Sequence, residues 1–233
     1  MKPTGPNTIL TQEESQWMSA SDLMAGLMMV FLFVAIALMR SSLLERDKIK
    51  EVAVTFQEDQ GAIYEALIDE FENDIERWNA EIDRETLTFT FNSPDVLFQN
   101  NQKQVSSRYK LLLDDFFPRY MHVLDRFKPV ITEVRLEGHT SSVWAGSASV
   151  TEAYFFNMEL SQHRTRSVLE YIYQIPDVSA HQEWMKNHIS AVGFSSSKPV
   201  INARGVEDYD RSRRVSFRVI TNAEVKIKQI LDI

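Results

Sequence analysis

One acid stands apart in this sequence. Asp22 is followed at once by LMAGLMMVFLFVAIALM, residues 23–39, which carry no charge and no strong hydrogen-bonding side chain. A carboxylate at or inside such a run is costly in hydrocarbon, so it marks either an ion pathway or a helix cap in interfacial water. A second group lies in NMELSQHR, residues 157–164. Arg164 closes that stretch. A guanidinium there could hold a carboxylate through two parallel hydrogen bonds, or close a structural salt bridge. A third is DRSRRV, residues 210–215, which leads Arg214 into an alternating segment. No nucleophile and base stand at usable spacing. There is no Cys, and His181 and His188 are too far apart for a helical metal pair, so no catalysis, cofactor or metal is expected. His139 reads as a turn residue holding backbone.

The elements that must position these groups begin with the apolar run. At 1.5 Å per residue, residues 23–39 cover about 25 Å, short of a hydrocarbon core of about 30 Å. Extending the run back to Trp17 makes residues 17–39 long enough to span and sets an aromatic at the interface. Asp22 then lies about one turn inside the edge. Three readings remain open. Ala35-Ile36-Ala37 resembles a signal-peptide cleavage site, against which stand Glu13, Glu14 and a single basic Lys2 upstream. Ser21 or Asp22 could be the N-cap of a helix that starts there. Or Asp22 lies within the span, facing protein, and binds a permeating ion. Arg40, Arg46, Lys48 and Lys50 follow the span, and by charge alone they would place the C-terminus in the cytoplasm.

The remainder reads as a folded domain on a helical connector. Of 233 residues, 44% are hydrophobic and only seven are Gly and seven Pro, which excludes a disordered or fibrous chain. The net charge of −8 excludes a nucleic-acid partner, which needs a basic face. Residues 40–85 predict two helices separated at Gly61. The second carries Ile63, Leu67, Phe71, Ile75, Trp78 and Ile82 as an apolar stripe. That stripe packs either on its own domain or on a second copy. From residue 86 the period changes to strands: one with Leu87, Phe89 and Phe91, then 130–137, 188–192 and 214–220. Helices lie between them, one with Leu111, Leu112, Phe116, Met121 and Leu124, another over 161–174 with Ser161 as its N-cap. The order predicts an α+β fold, a mixed β-sheet packed on helices.

Three motifs in order, GHT at 138–140, NMELSQHR at 157–164 and RRV at 213–215, resemble the OmpA-like peptidoglycan-binding domain. YFFNMELSQHR is similar to the version in flagellar stator B subunits, which also carry one Asp near the start of a single span. Those subunits carry a long basic tail, whereas TILTQEESQW is short and mildly acidic. In this the chain looks more like B subunits of the Zorya anti-phage defence system.

The resemblance implies a bacterial inner-membrane protein with residues 1–16 cytoplasmic, 17–39 spanning, 40–85 a periplasmic connector and 86–233 the peptidoglycan-binding domain. It reverses the orientation that charge alone favours. It further implies a homodimer inside a ring of a multi-span A subunit, with Asp22 translocating the ion. For the grip it implies Asn157, Leu160 and Arg164, with Phe91 and Asn92 lining the groove. The helix N-terminus at Ser161 would add donors for an anion, and Arg214 would help or only brace the turn. Where the family places Asp after GHT, this chain has Ser141, which by its place in the motif counts among the peptidoglycan-binding residues. Glu152 is a candidate to replace that acid. The rival functions are a flagellar stator and a passive anchor without ion flow.

Overall fold

A computed structural model describes residues 7–92, 105–144 and 149–222. Lys2 and the rest of residues 1–6 lie outside them, as do residues 145–148. One helix, α1, runs from Asn7 to Ile75. It is rich in Ala, Leu, Met, Glu and Gln and contains no Pro, and such a sequence keeps a helix going. Gly61 does not end it, contrary to expectation. A mid-helix Gly costs only about 1 kcal/mol, and a Cβ here would meet nothing, so the helix simply absorbs the loss. The helix also overrides the capping alternative, because it begins well before Ser21 and Asp22.

The chain divides between Val52 and Ala53 into two units. In the first, the helix is long and apolar enough to cross a membrane, with a mean hydropathy of 2.4 over its best window and none of that window buried. The second unit begins at Ala53, and its core begins at Ile63. Ile63, Leu67 and Phe71 are wholly buried, so much of the expected stripe packs on its own domain. The connector expected over 40–85 is therefore shared between the units. The domain begins some thirty residues before position 86, counting from Ala53.

The domain is built on five strands: β1 (Ala80–Asp83), β2 (Thr88–Phe91), β3 (Ile131–His139), β4 (Ile189–Gly193) and β5 (Arg214–Thr221). Their order is β1-β2-β5-β3-β4, with β3 and β4 parallel and the other pairs antiparallel. The parallel pair needs a crossover, which α3 (Val150–Ile172) supplies, and α2 (Ser107–Asp125) connects β2 to β3. A short helix, α4 (Gln182–His188), precedes β4, and a single turn, α5 (Tyr209–Ser212), precedes β5. The mixed sheet packed on helices is the α+β fold that the pattern predicts. β1 is an addition. It pairs with β2 through a turn in which Asp83 accepts the N–H and hydroxyl of Thr86, both at 2.7 Å, and those bonds hold its carboxyl below the usual range.

The core is aromatic. Phe71, Phe89, Phe91, Phe116, Phe117, Tyr120 and Phe217 are all fully buried, and Phe116 lies 4.7 Å from Phe89 and 5.0 Å from Phe91 between ring centroids. The rings come from α1, α2 and alternate positions of β2 and β5, so helix period and strand period deliver them to one place. Leu111, expected on this face, is 72% exposed, and Leu113 takes the core position instead. Arg119 of α2 ties the end of α1 down, donating to Glu70 at 2.6 Å and Asp74 at 2.8 Å.

Candidate functional site

The site forms where α3 crosses the loops that leave β3 and β4. Two glycines allow the helix in. A Cβ on Gly138 would lie 2.6 Å from Thr165 Cγ2 and 2.9 Å from the Ser161 carbonyl. A Cβ on Gly193 would lie 2.5 Å from the backbone nitrogen of Gln162. Hence the Gly of GHT is a packing requirement rather than a ligand contact. Hydrogen bonds then stitch the two loops together: Thr140 N donates to the Ser195 carbonyl at 2.9 Å, and Phe194 N to the Gly138 carbonyl at 2.8 Å.

The start of α3 differs from expectation. Ser149 is the N-cap, and its side chain exchanges hydrogen bonds with Glu152 in a reciprocal capping box. Ser161 therefore lies in mid-helix, where its hydroxyl donates to the Met158 carbonyl at 3.0 Å and accepts the Ser195 N–H at 3.1 Å. Mid-helix amides already have partners, so the anion-binding helix terminus expected at Ser161 does not exist. Glu152 serves the cap. Hydrogen bonds from the backbone and side chain of Ser149 hold its carboxyl below the ordinary range.

The expected grip residues separate into groups. Asn157 is 2% exposed, and its amide donates to the Ser141 carbonyl at 3.1 Å, which pins the loop after β3 under the helix. Leu160 and Arg164 follow on the same helical face, both half-buried. Ser141 is buried, while Ser142 is exposed and bonded to Glu207, donating its N–H at 3.0 Å and its hydroxyl as well. Sequence reasoning missed Glu207.

Phe91 is no groove residue. Its ring sits in the core against Trp78, Tyr109, Phe116 and Phe217, with no surface left for a ligand, because the inward face of β2 is the one that carries it. Asn92 ends β2 half-buried, exchanging backbone and side-chain hydrogen bonds with Asn79.

Arg214 lies elsewhere. On β5, Arg214, Ser216 and Arg218 alternate with the core residues Val215, Phe217 and Val219, so they face away from the core. There they line a groove of about 490 Å³ together with Glu81, Glu137, His139, Lys198 and Arg211. Arg214 donates to the carbonyls of Ser212 and Lys198, each at 3.2 Å, which is the bracing role. Burial pushes its guanidinium down, opposed by the charges of Glu137 and Glu81.

His139 stacks on Phe194 and sits 3.3 Å from Glu137, both side chains nearly sealed. Burial pushes the imidazole below its ordinary value, against the pull of Glu137, so it is neutral and Nε2–H is the donor. Burial would raise Glu137, but the His139 hydrogen bond and the charges of Lys198 and Arg218 hold it below its ordinary value.

Asp22 belongs to the other unit. It is exposed inside α1, immediately before an exposed apolar run that includes Leu23, Leu27, Phe31 and Phe33.

No family model matches the chain. It is 52% identical over 220 residues to the Zorya protein ZorB of Escherichia coli, covering 94% of both chains. Among solved structures, it is similar to a putative MotB-like protein from Desulfovibrio vulgaris at 21% identity and a TM-score of 0.46, covering 76% of this chain and 94% of that one. It is also similar to the periplasmic domain of Helicobacter pylori MotB at 18% identity and a TM-score of 0.44, covering 66% and 88%. The cell wall anchor of the T6SS from Pseudomonas aeruginosa matches at 22% identity and a TM-score of 0.45, covering 66% and 96%.

Proposed function

Since the chain belongs to the family of the Zorya protein ZorB, we propose that it is the peptidoglycan-anchored B subunit of an ion-driven inner-membrane motor serving anti-phage defence. In this reading the N-terminus is cytoplasmic and the C-terminal domain periplasmic. Two copies stand inside a ring of a multi-span A subunit, and Asp22 carries the ion. The observation that supports it most is the placement of Asp22 inside an uninterrupted, unburied apolar helix. An ionised acid in hydrocarbon costs about 3 kcal/mol on insertion scales, and protonation removes that cost. A proton arriving and leaving would therefore switch which environment the side chain prefers.

The grip in this reading is the α3 face bearing Leu160 and Arg164, with Asn157 holding the adjoining loop rather than touching ligand. Stem peptides of peptidoglycan offer carboxylates, which a guanidinium binds through paired, charge-assisted hydrogen bonds. Phe91, Asn92 and Arg214 serve the fold.

Two measurements test the proposal. A reporter fused after Ile233 should be active in the periplasm and silent in the cytoplasm. In detergent, the full-length Leu160→Ala/Arg164→Ala variant should bind purified sacculi at least about tenfold more weakly than wild type, from about 1.5–3 kcal/mol for a charged hydrogen bond. Cytoplasmic activity of the reporter would remove the peptidoglycan reading, and undiminished binding would move the grip to another surface.

A further inference from the structure

The segment between β4 and β5 delivers an acid to the loop after β3 that no motif marks. It folds into a tight hairpin, with Asn202 N donating to the Val206 carbonyl and Asp208 N to the Val200 carbonyl, each at 2.8 Å. Gly205, at φ +74°, makes the turn, a backbone conformation that side chains resist. The hairpin register sets Glu207 against Ser142, 65 residues away in sequence. There the carboxylate accepts the Ser142 N–H and hydroxyl, next to the Ser141 carbonyl that Asn157 holds.

Glu207 is half-buried, and among the described residues no Lys, Arg or His forms an ion pair with it. Two hydrogen bonds keep the carboxylate in place but do not balance its charge. A partly desolvated anion in that condition attracts a cation more strongly than a free surface carboxylate does. Each oxygen retains acceptor capacity for a further donor.

We propose, resting on the peptidoglycan reading above, that Glu207 receives the free ammonium of the diamino acid in the stem peptide. Arg164 receives a carboxylate of the same peptide. The ligand is then zwitterionic, and the acid absent at Ser141 is supplied from the hairpin. A neutral or purely anionic peptide would satisfy only one end of this arrangement.

The test uses full-length protein in detergent, with native sacculi and sacculi whose free amines have been acetylated. Wild type should bind the acetylated preparation about tenfold more weakly, the scale of one charged hydrogen bond. Glu207→Gln should bind native sacculi about tenfold more weakly and lose nothing further on acetylation. Equal binding of wild type to both preparations overturns the assignment, whether or not the variant folds. Glu207→Gln matching wild type on native sacculi overturns it too, while leaving the peptidoglycan reading intact. Wild type that binds neither preparation overturns that reading itself.

Discussion

Phe31 and Phe33 of α1 are 64% and 70% exposed, whereas Phe89, Phe91 and Phe116 of the domain are wholly buried. The same side chain thus occupies opposite environments in one chain. The domain closes an apolar interior of its own, with rings from four elements meeting at Phe116. The first unit presents its apolar groups outward, which is stable only against an apolar solvent or partner. Acids follow the same division. Asp74 and Glu70 meet Arg119, whose charge survives burial because those carboxylates and Asp115 surround it. Asp22 stands exposed beside Leu23 and Met24. What the domain balances internally, the first unit must balance outside itself.

The largest effect that could break this contrast is on folding. Phe116→Ala should lower domain stability by about 3–5 kcal/mol, because its ring touches Phe71, Phe89, Phe91 and Tyr120 and its removal leaves a cavity. Phe33→Ala should leave the same denaturation curve, followed by near-UV circular dichroism, unchanged. Equal losses would mean that the two regions are not energetically distinct. Next comes Gly193→Ala, whose methyl group must displace the backbone of α3. It should cost about 1–3 kcal/mol, and it should also weaken sacculus binding by shifting the face that bears Leu160 and Arg164. Full stability in that variant would show that α3 does not pack as tightly as described.

A smaller effect sharpens the polar side of the comparison. The buried imidazole of His139 has its pKa below its ordinary value of 6.5, so the unfolded chain binds the proton more readily. Its contribution is therefore present above that value and lost as pH falls through it. Glu137, also depressed, adds a loss at lower pH, below its ordinary 4.5. Denaturation midpoints should fall as the pH is lowered from about 7.5 to about 5.5, and His139→Gln should flatten the dependence. A wild-type midpoint that rises on acidification would contradict the assignment of a neutral imidazole.

Much of this was legible in the residues. The span shows in composition, and β2 and β5 show in alternation, because an apolar side chain at every second residue matches the period of a strand with one covered face. β1 escaped because Ala80-Glu81-Ile82-Asp83 carries two acids and little strand propensity, and only its pairing with β2 makes it a strand. The start of α3 was readable in Ser149 and Glu152, three residues apart, but the motif match drew the helix start to Ser161. Phe91 was misplaced because the resemblance drew it to the groove, whereas its alternation with Phe89 on the apolar side of β2 already pointed to the core. Glu207 could not be read at all. Its position depends on the register of a hairpin and on a loop far away in sequence.

The account rests most on Asp22, and one substitution addresses it directly. In a host where wild type protects against phage, Asp22→Asn should keep expression, membrane insertion and sacculus binding while protection is lost. The amide preserves size and hydrogen bonding but cannot release a proton. Asp22→Glu, which retains an ionisable group on a longer stem, should keep partial protection. Full protection by Asp22→Asn would contradict ion transport at this residue and leave the chain a passive anchor.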